Sequence, residues 1–191
     1  MTGVQTCALP ILPAFTYIGR VNCVTGQGSA ARHQIHILRQ HGFLFRIIDA
    51  GSCVSPDPRA ADPFIQAARQ SDAGSESTCG TIVHLQPNTA EKFHRSTLYP
   101  RPHILVSVWE TTKLPKEWVA SINSYDQVWC ATQWQFDIYR QSGIKASLLR
   151  LVPFSLDPSL YMAAPTNQRR EKIFGSVFQW SERKDPECLI G

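Results

Sequence analysis

Two short apolar runs joined by a glycine turn and one helical period constrain this chain more than any other feature. The first run carries Tyr17, Ile18, Val21 and Cys23 and ends at Thr25-Gly26-Gln27-Gly28-Ser29, so residues Tyr17 to Cys23 read as a strand feeding a tight turn. Ser29 can then cap a helix. Its apolar positions Ala31, Ile35 and Leu38 fall on one face, Arg32, His36 and Arg39 face elsewhere, and Gly42 supplies the stop. Phe43 to Ile48 is almost continuously apolar, as a strand covered on both faces must be. The opening is a βαβ unit.

The alternation continues after a break. Residues 50 to 80 are dominated by Ser, Pro, Asp, Gly and Ala and read as a long functional or mobile loop, with a short helix possible around Pro63 to Arg69. Strands follow at Thr81 to Leu85, Ile104 to Trp109, Gln127 to Cys130 and Ser147 to Val152. One helix begins at Pro115, a good first helical position, and another runs from Thr132 as N-cap to Gly143 past its end. Strands alternating with helices predict an α/β fold, a Rossmann-like parallel sheet with helices on both faces. The expected organisation is a first domain over 12–160, a proline-containing polar linker over 161–171, and the start of a second Rossmann-like domain over 172–191. In that last stretch Lys172 to Val177 reads as a strand and Pro186 as a helix start.

Composition narrows the function classes. The net charge of +4 comes from scattered residues, with no block of like charges, so no nucleic-acid partner is expected. No apolar run approaches the roughly 18 residues of a membrane span, which predicts a soluble, cytoplasmic protein with at most peripheral membrane contact. The cysteines, at positions 7, 23, 53, 79, 130 and 188, form no C-x-x-C pair and have no histidine at zinc-finger spacing. Reduced, mostly buried thiols and no metal are the expectation.

Gly26-x-Gly28-x-x-Ala31 after a strand is formally a dinucleotide-binding fingerprint, and Asp49 lies 21 residues beyond Gly28, where a ribose contact would fall. An NAD(P)-dependent oxidoreductase is one reading. The physical requirement is more general, because glycines let backbone amides approach any diphosphate and the helix N-terminus adds partial positive charge. A tight turn with no ligand meets the same pattern.

The later half carries a different set of features. His103-Ile-Leu-Val-Ser-Val-Trp109-Glu110, Leu114-Pro115-Lys116-Glu117-Trp118, Asp126-Gln127-Val128-Trp129, Ser142-Gly143-Ile144 and Val152-Pro153-Phe154-Ser155-Leu156-Asp157 follow one another in order. Ile173 to Trp180 and then Glu182-Arg183-Lys184 and Pro186 complete the series. In order and spacing these resemble the group 1 (family 4) glycosyltransferases over about residues 16 to 191. The opening Thr2 to Ile11, by contrast, resembles a translated sequencing adapter, so residues 1–11 are set aside as non-native.

The glycosyltransferase resemblance implies a GT-B architecture, with acceptor mainly on the first domain and nucleotide-sugar donor mainly on the second. It implies retaining transfer, of hexosyltransferase type, to an unknown glycan, lipid or protein acceptor, with no metal and no cofactor beyond the nucleotide-sugar co-substrate. The present chain would then be an incomplete and inactive fragment. In such chemistry the departing diphosphate gains charge, and fixed cations lower the barrier. Lys184 and Arg183 are the candidates, although relatives often carry the arginine earlier, where this chain has Gln179. Glu110, just past a parallel strand, is placed to contact a sugar hydroxyl or to lead the next helix as its dipole partner. Gly26, Gly28 and Ser29 are the candidate donor-diphosphate or substrate loop.

His84 falls late in its strand and His103 early, so only His84 is placed for a ligand, and structural roles are expected for both. Trp109, Trp118, Trp129 and Trp134 are read as core-filling aromatics. A non-catalytic sugar-binding module is the third class left open.

Overall fold

The computed structural model describes residues 14–50, 78–94 and 99–156. Contacts divide the chain into two compact units, Met1–Pro158 and Ser159–Gly191. The expected adapter segment, the Pro63 to Arg69 helix, and the strand and helix after Lys172 lie outside the described residues.

Six strands, β1 (Ala14–Gly19), β2 (Leu44–Asp49), β3 (Thr81–His84), β4 (His103–Val106), β5 (Gln127–Cys130) and β6 (Leu149–Leu151), form one sheet. Their order is β2-β1-β3-β4-β5-β6 and every pairing is parallel. The helices are α1 (Gly26–Gln40), α2 (Pro87–His94), α3 (Lys116–Ile122) and α4 (Gln133–Gln141). The expected α/β Rossmann-like sheet is therefore the observed one. Because all strands run the same way, the segments that leave their C-terminal ends share one edge, and the order reverses between β1 and β3.

Period-two alternation divides each strand between two cores. Tyr17, Ile82 and Ile104 face Ala31 and Ile35 of α1, whereas Ile18, Val83 and Leu105 lie with Ile122 of α3 and Ile138 and Tyr139 of α4. Each such aliphatic side chain, fully buried, contributes about 1.5 to 3 kcal/mol. On the α1 side a groove of about 190 Å³ is left among Phe15, Leu38, Phe43, Phe45, Ile82, Ile104 and Trp129. It has only apolar walls and lies toward the starts of the strands, so it is a packing gap with nothing to orient a polar ligand.

Against the expected Ile104 to Trp109 and Ser147 to Val152, β4 covers His103–Val106 and β6 only Leu149–Leu151, after a 3-10 turn over Ala146–Leu148. Other departures have identifiable local reasons. β1 begins at Ala14 and ends at Gly19, because the chain then turns: Cys23 N–H donates to Arg20 O (3.3 Å). The carbonyls of Val21 and Cys23, expected in a ladder, accept instead from the Arg32 guanidinium at 2.7 and 3.1 Å. Arg32 is thus buried under the loop, not turned away as its place in the helical period implied. The N-cap of α1 is Thr25 rather than Ser29, since the extended Thr25 accepts at its side chain from Gly28 N–H at 3.1 Å. Helix α2 went unforeseen, although Pro87 opens it and Ala90 and Phe93 form its apolar face.

Elsewhere local chemistry was decisive. Thr132 caps α4 through Gln135 N–H, and Gly143 past its end has φ +103, a conformation that glycine adopts without strain.

Candidate functional site

The C-terminal ends of the six parallel strands share the edge that carries the candidate residues. After β1 come Arg20 to Thr25 and the first turn of α1, which contains Gly26, Gly28 and Ser29. After β4 come Ser107 to Leu114 with Glu110 exposed among them. The parallel register therefore brings Gly26, Gly28, Ser29 and Glu110 to the same edge. Lys184 and Arg183 lie outside the described residues.

The two glycines have different local reasons. A Cβ on Gly28 would meet Cys23 O at 2.3 Å and Arg20 O at 2.9 Å, so the helix could not close under the loop with any other residue there. Around Gly26 a Cβ would meet nothing within 4 Å. With its amide donated to Thr25, Gly28 acts through close packing of loop on helix, not by pointing an N–H at a phosphate. Asp49, at the end of β2, accepts a short hydrogen bond from the Asn22 side chain, which fastens the β1 loop to β2.

Cys23 is disulfide-bonded, and its partner falls outside the described residues. This corrects the expectation of thiols throughout, while Cys79 and Cys130 are free. Burial raises the Cys130 thiol to about 12, so it is inert as a nucleophile near neutrality.

The segment after β4 is closely tied. Trp109 meets Trp118 edge-on with ring centroids 4.9 Å apart and donates Nε1–H to Lys113 O at 2.8 Å. The buried Gln135 side chain donates a short hydrogen bond to Ser107 O and accepts from Ala131 N–H at 3.1 Å. One amide thereby joins the exits of β4 and β5.

His84 occupies the reversal point, at the end of β3 in register with Gly19. It is fully buried, its Nδ1 is 2.6 Å from the Tyr17 hydroxyl, and its Nε2 has no partner. Tyr17 in turn donates to Gln34 Oε1 at 2.8 Å. Burial lowers the imidazole to about 4, so the ring is neutral at pH 7, and the same burial raises the Tyr17 phenol well above its ordinary value. A buried nitrogen without a partner costs about 1 to 3 kcal/mol. The buried Ser107 and Tyr139 hydroxyl oxygens share that condition, but His84 alone among these three is an imidazole. Phe154, from the segment after β6, stacks on the ring with centroids 5.9 Å apart and planes 15° from parallel.

His103 is at the opposite edge and is satisfied. Its Nε2 is 3.0 Å from Tyr99 O and its N–H donates to Asp126 Oδ2 at 2.7 Å. Burial pushes the Asp126 carboxyl up, but hydrogen bonds from Arg101 and His103 N–H and the Arg101 charge outweigh it and hold the pKa below the ordinary value.

Among the described residues, the exposed large apolar side chains are Val24, Trp134, Leu151, Phe154 and Leu156. All five are at or just beyond strand C-terminal ends. Sequence reasoning set Trp134 aside as core and overlooked Phe154. The usable signal was position: Trp134 follows Thr132-Gln133 at a helix entry, and Phe154 follows Pro153 directly after the last strand.

Among the described residues no group of three or more His, Cys, Asp or Glu could hold a metal ion, and no helix is long and apolar enough to cross a membrane. A scan of the sequence against models of protein families finds no match, and a search of curated proteins finds none.

Proposed function

We propose that this chain is the acceptor-side portion of a retaining, nucleotide-sugar-dependent glycosyltransferase whose donor-binding residues include Lys184 and Arg183. The observation that carries the reading is the gathering of exposed apolar side chains on the C-terminal edge, where open α/β sheets bind ligands. Aromatic and aliphatic surface on the same edge as Glu110 is what a sugar's apolar face and hydroxyls need. The chemical class rests on the Trp109-Glu110, Leu114-Pro115 and Arg183-Lys184 resemblance, since a fold alone does not give a reaction. In this reading the Lys184 ammonium offsets charge gathering on the leaving diphosphate, Glu110 orients an acceptor hydroxyl, and no metal takes part.

The nicotinamide alternative is supported less well, because Gly28 is explained by packing and Asp49 is engaged by Asn22. The test is sugar transfer by the chain extended through its next domain, offered a set of radiolabelled nucleotide sugars and a lysate acceptor. Transfer above background is expected, with Lys184→Ala lowering kcat by about 100- to 1,000-fold. No transfer, or heat released on mixing with NAD or NADP in calorimetry, would overturn the reading.

A further inference from the structure

The chain of bonds at His84 fixes where its proton sits. Tyr17 has one hydroxyl proton, and it goes to Gln34 Oε1. The phenol oxygen therefore has only lone pairs to offer the imidazole, so Nδ1 carries the ring's proton and Nε2 is a bare lone pair. That lone pair is buried and has no partner. It can accept from a hydroxyl, and it repels a phosphate or carboxylate oxygen.

The cover over this ring is unusual in its origin. β6 is separated from β3 by β4 and β5, so the segment Val152 to Phe154 must cross the C-terminal ends of those strands to stack on His84. Phe154 remains 42% exposed while doing so, flanked by the exposed Pro153. A half-exposed ring on a loop, stacked on the face of the imidazole whose edge carries the unsatisfied acceptor, offers a stacking surface that the apolar face of a polyol can take over.

We infer that His84 Nε2 is the hydrogen-bond acceptor for a hydroxyl of a neutral, sugar-like polyol, and that Phe154 is the cover that moves aside to admit it. The identity of the polyol as the acceptor substrate rests on the transferase reading. The site itself rests on the Tyr17, Gln34 and Phe154 geometry. His84 acts here as a binding residue with a preset tautomer, and Tyr17 and Gln34 are positioning residues that set it.

The experiment is long-range ¹H–¹⁵N correlation NMR on the 191-residue protein with ¹⁵N-labelled histidine. The free protein is expected to show His84 with Nδ1 protonated and Nε2 bare. Phe154→Ala is expected to move the Nε2 resonance toward its hydrogen-bonded value without ligand, because water gains access. In the wild type, at least one member of a panel of methyl glycosides of common hexoses and pentoses should move Nε2 while inorganic phosphate does not. A protonated Nε2 in the free protein, a response to phosphate, or an Nε2 unmoved by every glycoside in both wild type and Phe154→Ala would overturn the inference. Transfer by the extended chain combined with an unmoved Nε2 would remove the site alone. A responding Nε2 with no transfer would keep the site and remove the reaction.

Discussion

The two edges of the sheet treat their polar and apolar groups in opposite ways. At the N-terminal edge His103 has Tyr99 on its ring and Asp126 on its backbone N–H, and Arg101 closes on the same carboxylate at 2.5 Å. At the C-terminal edge His84 keeps a nitrogen unsatisfied, and large apolar side chains face water. Both histidines are buried, so burial alone does not separate them. The difference teaches that one edge completes its polar groups internally, whereas the other carries an unsatisfied buried nitrogen and exposed apolar side chains, which the proposed function assigns to a ligand.

The largest effect expected from a single change is at Gly28. Two backbone carbonyls stand where a side chain would go, so Gly28→Ala should lower unfolding stability by about 2 to 3 kcal/mol, read from a urea midpoint at unchanged slope. A loss under about 0.5 kcal/mol would mean that the Cys23 loop yields easily and that the C-terminal edge is softer than described.

Comparable in size is acid sensitivity. The unfolded His84 titrates near 6.5 and the folded one near 4, so the unfolded state binds more protons between those values. This contribution to stability is fully present above about pH 6.5 and is lost as pH falls toward 4, at up to about 1.4 kcal/mol per pH unit. His84→Gln should flatten that slope between pH 6.5 and 4.5. An unchanged slope would place the titration elsewhere. Asp126, with its pKa held below the ordinary carboxylate value, acts in a lower window: its contribution is present above about pH 3.9 and is lost as pH falls through the folded pKa.

The sequence spoke clearly where the cause was local. Thr132 and Gly143 bound α4 because a hydroxyl and a residue tolerant of positive φ act within one turn. The near-continuous apolar strands followed from burial on both faces. It spoke poorly where the cause was tertiary. The end of β1 is decided by Arg32, which reaches back from α1 to carbonyls that periodicity had assigned to a ladder. The sequence reading chose Ser29 as the cap of α1, and the position of Gly28 N–H gives that role to Thr25. The candidate edge for Gly26, Gly28, Ser29 and Glu110 was legible from strand direction, and so was the placing of His84 on that edge and His103 on the other, but the unsatisfied Nε2 of His84 was not legible until Tyr17, 67 residues away in sequence, came to hold its ring.

The smallest effect sharpens the glycine comparison. With open space around it, Gly26→Ala in the first turn of α1 should stabilise the protein by about 0.4 to 1 kcal/mol through the unfolded state. Destabilisation of that size would show a backbone requirement at Gly26 that the open space does not reveal.

The central claim, that function belongs to one edge and stability to the other, is tested most directly by a crossed pair of variants in the extended chain. Glu110→Ala and Asp126→Ala are each measured for sugar-transfer kcat/KM and for thermal midpoint. The account predicts that Glu110→Ala lowers kcat/KM at least tenfold and leaves Tm within about 2 °C, whereas Asp126→Ala lowers Tm by about 2 to 8 °C and leaves kcat/KM within about twofold. The reverse pattern, or both variants losing stability and activity together, would contradict it.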